Sequence, residues 1–432
     1  MLRRPPPWTV AVACAALVLP ACGDADEPGD AEDRTITIGY VTSQTGPLAP
    51  FGDADRFVVD RMRTFFANNR IVLGGEEHDV RIVIKDTQSD PARTGEVTAE
   101  LIDFDGADLV LGQLAAPTPG TTNPVSDTCE AKAVPCITTT SPWEITWFGR
   151  GKQTLTDEPF RWSYHFFWGL QDVQNVFQDI WTRVGTNQQV GVLWPDDANG
   201  QAWASRQGGF PPVLEQAGYT LTDPGFYPPG SQDFAEQIAA FSGADAQALL
   251  AVPLPSEFAA FWRQAREEGY TPRVATVGRA LLFPSTVEAL GDAGDGLSTE
   301  VWWSPAHPFT SSLTNQSAAE LAAQYEQQTG EQWTQPIGFV HALFEVAVAA
   351  LRAADGTDGQ ALADALSALR VSTVVGELAW GPGPVPNVAL TPLVGGQWRR
   401  TPGEANAYRL DIVSNARAPQ IPVAGDPQPL TP

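Results

Sequence analysis

The stretch TITIGYVTSQTGPLAPFGDADRFVVDRMRTFFANN, Thr35 to Asn69, sets the pattern for the rest of the chain. Thr35 to Val41 is apolar and β-rich, Gly46-Pro47 makes a tight turn, and Val58, Met62, Phe65 and Phe66 recur at helical spacing within Asp53 to Asn69. The stretch is one strand–turn–helix unit. Beyond it, Val80, Ile82 and Ile84 alternate with Arg81 and Lys85 as a strand, and Asp90-Pro91 opens a helix with a cap and an N1 proline. Asp108 to Gly112 forms a strand, then come a helix and the strand Pro135 to Thr140. A βαβαβαβ series demands a parallel sheet with helices on both faces.

A second series begins at Trp162 to Trp168. Val173, Val176, Phe177, Ile180, Trp181 and Val184 form one unbroken helical stripe. Strand Gln189 to Trp194, a helix around Gln201 to Ala217, strand Ala248 to Val252, helix Ser256 to Glu268 and strand Val274 to Val277 continue the alternation. A helical pair near Ala318 to Gln328 and Pro336 to Ala353 precedes β-like sequence at Val374 to Trp380, and the end is Pro-rich, predicting a disordered or surface-hugging tail. With 432 residues the chain is long for one core and suits two. The expected fold class is α/β, with two lobes of similar architecture.

Composition narrows the function. The formal charge of −25 opposes nucleic-acid binding, which needs clustered Lys and Arg. Arg3 and Arg4, then the apolar Trp8 to Leu19, then Leu19-Pro20-Ala21-Cys22 resemble a lipoprotein signal peptide cleaved before Cys22, whose sulfur would carry the lipid. Each buried acyl methylene would contribute ~0.8 kcal/mol to anchoring. Gly23 to Asp33 is small and acidic, suited to an extended tether. Cys129 and Cys136 lie in the exported part, at a helix end and on the next strand; a bridge closing so short a loop is worth about 2.5 kcal/mol. A disulfide is the expectation, with two free thiols as the alternative.

Ligands of open α/β sheets bind beyond the carboxyl ends of the strands. The turns there carry Phe51, then Thr118, then Thr139 and Thr140. Trp143, Trp147, Trp168, Trp302 and Trp303 fall near strand ends or crossings, where each either stacks on a ring-shaped ligand or packs a lobe core.

A family resemblance runs over nearly all of the exported part, Arg34 to Arg400. It is carried by the order of Ile38-Gly39-Tyr40, Thr45-Gly46-Pro47-Leu48-Ala49-Pro50-Phe51-Gly52, Asp86, Asp90-Pro91, Gly112-Gln113, Pro135, Trp194, Asn199-Gly200, Gly269-Tyr270, Val375-Gly376-Glu377-Leu378 and Trp380. This resembles the type I periplasmic binding proteins, in the branch of leucine/isoleucine/valine-binding proteins of ABC importers. The resemblance implies two Rossmann-like lobes with parallel central sheets, a three-segment hinge, and a small molecule gripped between the lobes. It divides the chain into a signal peptide (1–21), a tether (22–34), lobe 1 (35–160 and 303–372), lobe 2 (161–302 and 373–413) and a Pro-rich tail (414–432). The crossings then fall near Asp157 to Trp162, Ser298 to Pro305 and Arg370 to Gly376.

Position by position, it places Phe51, Ala116, Thr139 and Thr140 on the first lobe's side of the cleft, with Trp168, Asn199, Leu254 and Arg279 facing them. Amino-acid-binding members resembling this chain use a serine where Ala116 stands and an acid where Arg279 stands. A cation at Arg279 favours a carboxylate or neutral polar ligand; the alternatives are that Arg279 lies on the surface or pairs with a nearby Asp. The implied partners are a small-molecule ligand, ABC permease subunits and the membrane, reached through a lipid anchor on the outer face of the cytoplasmic membrane; no cofactor or metal is expected, and a monomer is.

Two rivals stand beside this reading. An exported hydrolase would need a nucleophile elbow, a metal pair or a P-loop, and the sequence holds none. The histidines His78, His165, His307 and His341 are scattered, and His341 lies on an apolar helix face. A ligand-sensing lipoprotein needs the same cleft as a transport protein, so sequence does not separate them.

Overall fold

The computed structural model describes residues 35–113, 124–356 and 358–431. Cys22, the signal peptide and the tether lie outside these residues. The first lobe's strands are β1 (Thr35–Thr42), β2 (Ile71–Leu73), β3 (Glu76–Asp86), β4 (Leu109–Gln113), β5 (Cys136–Thr139) and β6 (Ser163–Phe166). β1 pairs in parallel with both β3 and β4 at the centre of the sheet, so seven of its eight residues are buried. The Asp90 side chain caps the helix Pro91–Asp103, accepting from the Arg93 N–H at 2.7 Å.

The second lobe holds β7 (Gln189–Pro195), β8 (Thr220–Thr222), β9 (Phe226–Tyr227), β10 (Ala248–Ala251), β11 (Val274–Val277) and β12 (Ser298–Val301). Two antiparallel strands extend it later in the chain. The predicted apolar stripe on the helix Leu170–Val184 is buried along its whole length, and the Trp181 indole donates to Thr276 Oγ1 at 3.1 Å.

After β12 the chain returns to the first lobe with the helices Ala318–Thr329 and Pro336–Ala353. The latter is apolar enough to pass for a membrane span by composition, yet it is a core helix packed against lobe 1. His341 on it shares a 2.7 Å hydrogen bond with the Ser311 hydroxyl. The hairpin β13 (Arg370–Thr373) and β14 (Gly376–Ala379) stands apart, while β15 (Val388–Ala389) rejoins the first sheet beside β6. β16 (Val394–Arg400) and β17 (Tyr408–Ser414) then extend the second sheet.

The sheets run β15-β6-β5-β4-β1-β3-β2 and β17-β16-β12-β11-β10-β7-β8, with β9 beside β7. Two expected crossings therefore move. β6 closes the first lobe rather than opening the second, so the first crossing is Phe167 to Gly169, not Asp157 to Trp162. Because β15 pairs with β6, the third crossing is Leu390 to Leu393, not Arg370 to Gly376. The second, at Trp302 to Ser304, falls inside its expected range. The tail hugs lobe 2: the Leu430 N–H donates to the Arg273 carbonyl at 2.8 Å, and Ala418 and Ile421 are buried.

Cys129 and Cys136 are buried as free thiols in hydrogen-bond contact, not as the expected bridge. Folding brings the sulfurs together, and the covalent bond needs an oxidant besides. Burial, then the facing Cys136, pushes the Cys129 thiol well above its ordinary pKa.

Candidate functional site

A small pocket of about 40 Å³ lies between the lobes, where the first and second crossings contribute lining residues. Lobe 1 contributes Leu48 and Phe51 from the β1 turn, and Thr140 and Pro142 from beyond β5. Phe167, Trp168 and Trp302 come from the crossings themselves. Lobe 2 supplies Asn199, Trp203, Val252, Arg279 and Glu300.

The β1 turn is held from beneath. Gly52 lies so close to Ser43 that a Cβ there would meet the Ser43 carbonyl oxygen at 2.3 Å. Under the turn, Asp55 is fully buried and accepts from the Tyr40 hydroxyl at 2.7 Å, from Gln113 Nε2 at 2.7 Å and from the Thr42 hydroxyl. Burial pushes its carboxyl up to about 7. These groups tie the carboxyl ends of β1 and β4 to the start of the helix Asp55–Asn68, and so fix where Phe51 sits.

Aromatic rings line the pocket in mutual contact. Phe51 of lobe 1 meets Phe283 of lobe 2 edge-on at 5.0 Å, so the lobes touch across the cleft. Phe167 lies 4.9 Å from Trp302 and 4.8 Å from Trp168. The Trp168 indole Nε1 is buried without a partner. Trp302 Nε1 leans toward the Glu300 carboxyl without reaching hydrogen-bond geometry.

The lobe 2 wall is polar and internally paired. Asp197 caps the helix Ala198–Ala204 that carries Asn199, and its other oxygen accepts from Arg279 Nη1 at 2.7 Å. Burial works against the Arg279 charge, and Asp197, with Tyr227 and Glu257 beside it, more than offsets it. The cation expected to face a ligand anion is thus already paired; the alternative weighed from sequence, a neighbouring Asp, is what the structure holds. The Arg279 N–H donates to Glu300 Oε1 at 3.1 Å. Burial pushes Glu300 up to about 7.

Of the residues singled out from sequence, Phe51, Thr140, Trp168, Asn199 and Arg279 converge on this pocket. Thr139 does not: its hydroxyl donates to the Phe166 carbonyl at 2.7 Å and fastens β5 to β6. Leu254 is the residue preceding the helix Pro255–Glu267, and Val252, two positions earlier, lines the pocket instead. Ala116 and Thr118 lie outside the described residues. Among the tryptophans, Trp302 lines the pocket, whereas Trp147 packs with Val385 and Val388, and Trp303 against Trp333. Trp143 stacks obliquely on Phe148, away from the lining. Glu300 and Trp203 were missed, since an acid in a short β-rich run and a tryptophan on a short helix carry no pattern of their own. Among the described residues no three His, Cys, Asp or Glu side chains gather as a metal would require.

Residues 35–392 match the profile of a family described as periplasmic binding protein. The chain belongs to the periplasmic binding protein family. Solved structures agree on the fold. A leucine-binding protein from Thermotoga maritima superposes with a TM-score of 0.70 at 18% identity, over 88% of this chain and 99% of that one. An ABC transporter substrate-binding protein from Sphaerobacter thermophilus gives 0.68 at 19%, over 91% and 99%. A solute-binding protein from Rhodopseudomonas palustris, solved with 3,4-dihydroxybenzoic acid, gives 0.66 at 17%, over 89% and 99%. The family and these neighbours are solute-binding proteins, not enzymes, and this periplasmic binding protein carries their two-lobed architecture.

Proposed function

We propose that this periplasmic binding protein is the extracytoplasmic solute-binding lipoprotein of an ABC importer, a monomer tethered through Cys22 that hands its ligand to a membrane permease. The ligand is a small organic solute with a flat apolar body and a hydrogen-bond acceptor at its edge, an aromatic ring bearing a hydroxyl, amide or carboxylate oxygen. One observation carries this: a pocket at the lobe crossings whose rings come from both lobes and whose buried Trp168 N–H has no partner. With Arg279 committed to Asp197, an acidic edge is met by indole N–H and Asn199 rather than by a bare cation.

A thermal-shift screen of the mature protein against benzoate-type acids, short amides, sugars and branched-chain amino acids tests the ligand class. The benzoate-type acids should raise the unfolding midpoint most; the largest shift with leucine, isoleucine or valine would overturn the ligand class. Palmitate labelling in the native host should mark the protein and vanish in Cys22→Ala. Deleting the gene should abolish uptake of the ligand if a permease, rather than a sensor, is served.

A further inference from the structure

The backbone at Arg279 has φ +58° and ψ −60°, and the Ala280 N–H reaches back to the Gly278 carbonyl at 2.6 Å. This is a γ-turn of the disfavoured hand, rare and strained for any residue with a side chain. It stands at the end of β11 in the pocket wall. Such a conformation persists only where its surroundings hold it.

Here the holder is identifiable. Turning the chain this way drives the Arg279 N–H into the protein, where Glu300 Oε1 receives it. Glu300 is buried on the neighbouring strand β12, its other oxygen taken by the Thr299 hydroxyl at 3.2 Å. Gly278 lies flat on the same support: a Cβ there would meet the Trp203 ring at 2.7 Å and Glu300 Oε2 at 3.2 Å. Of the charged groups beyond the turn, Asp197 takes the Arg279 guanidinium, while Glu257, near enough to favour the Arg279 charge, spends its hydrogen bonds on the Tyr227 hydroxyl and the Leu254 and Gly230 N–H groups.

We propose that Glu300 is a positioning residue of the ligand pocket: its carboxylate accepts the Arg279 peptide N–H, holds the strained turn in place, and thereby sets Arg279 against Asp197 in the wall that meets the ligand. The proposal deepens the reading of the pocket as a ligand site and rests on it. A hydrogen bond to an ionised carboxylate is stronger than one to a neutral acid or amide. The turn is therefore held most firmly when Glu300 is charged, and burial brings that titration near neutral pH.

The experiment has two arms. In the first, protein labelled with ¹⁵N-arginine gives an Arg279 amide resonance, assigned by its loss in Arg279→Lys. That resonance should move downfield as pH rises through about 7. In Glu300→Gln, whose amide oxygen still accepts the N–H and preserves the fold, the movement should vanish. In the second arm 3,4-dihydroxybenzoate is the probe: Glu300→Gln should bind it about tenfold more weakly at pH 8, and the same change should add nothing in an Arg279→Gly background, where glycine needs no holder. An Arg279 amide that does not titrate, or that titrates unchanged in Glu300→Gln, overturns the proposal. So does unchanged probe affinity in Glu300→Gln. If no tested solute binds the wild-type protein, the ligand class falls instead, and the amide titration still decides the role of Glu300.

Discussion

Trp168 shows how one atom separates packing from recognition. A buried indole N–H without a partner costs roughly 1–3 kcal/mol relative to a satisfied one; Trp194, Trp303 and Trp380 leave theirs unpaired outside the pocket, so it is the place of Trp168 in the pocket wall that points to a partner arriving from outside. Trp168→Phe keeps a ring against Phe167 while deleting that donor and part of the indole's volume, a loss that offsets the relief of the unpaired N–H. The expected outcome is an unfolding midpoint unchanged or slightly raised, with affinity for an aromatic acid reduced about tenfold, or ~1.4 kcal/mol, by calorimetric titration. A loss of stability with affinity intact would make Trp168 a packing residue. The cysteine pair tests the compartment at the same scale. Cys129 and Cys136 are in contact and shielded from solvent, so an oxidising environment should convert them to a disulfide while a reducing cytoplasm leaves two thiols. Protein recovered from the outer face of the membrane should take up no maleimide after denaturation without reductant. Bridging should stabilise it by about 2.5 kcal/mol over its reduced form.

At the scale of elements, what the sequence shows plainly and what it hides follow from range. Periodicity is local, so the first βα unit, the Leu170–Val184 stripe and the Asp90 cap stand where their residues put them. Pairing partners are not local. β6 has the apolar composition of any buried strand, and nothing in Ser163–Phe166 says that it joins β5 rather than β7; β15 is two residues long and has no period at all. Both missed crossings follow from those two strands. The pocket divides in the same way: Phe51 lies in a quotable turn and Asn199 in the quotable first turn of a helix, whereas Glu300 matters only because β12 lies next to the strained end of β11. The first crossing also explains a glycine. A Cβ on Gly169 would meet Trp143 Nε1 at 2.4 Å and Glu144 Oε1 at 2.8 Å. Glu144 of lobe 1 there accepts the Leu170 N–H at 2.8 Å, at the start of lobe 2's first helix. Gly169→Ala should displace that carboxyl and destabilise the protein by about 1–3 kcal/mol in urea titration. An unchanged midpoint would mean that the Trp143 and Glu144 side chains yield freely and the crossing tolerates a side chain.

Across the whole molecule, stability depends on two opposed sets of buried ionisable groups. Burial pushes Asp55, Glu144, Glu300 and Glu345 each up to about 7. It pulls His165 down to about 4, and His307 and His341 to about 3. A raised carboxyl binds its proton more tightly in the native state, so from about pH 4 to about 7 its contribution falls as pH rises, by about 1.4 kcal/mol per unit. A depressed imidazole does the reverse: between its native value and about 6.5 the unfolded chain holds the extra proton, and stability rises with pH by the same amount. From about pH 4.5 to 6.5 four falling contributions outweigh three rising ones, leaving a net loss of about 1.4 kcal/mol per unit. Below about 4.5 the histidines lose their counterweight and the protein weakens with acid. Above about 6.5 the histidines have finished, the carboxyls still titrate, and the net charge of −25 adds self-repulsion. Urea midpoints at pH 4.5, 5.5 and 8 should therefore fall in that order, with the larger drop between 5.5 and 8. A midpoint at pH 8 equal to or above that at 5.5 would show that the four carboxyls do not stay protonated in the native state, and with them would go the neutral-pH titration on which the turn at Arg279 depends.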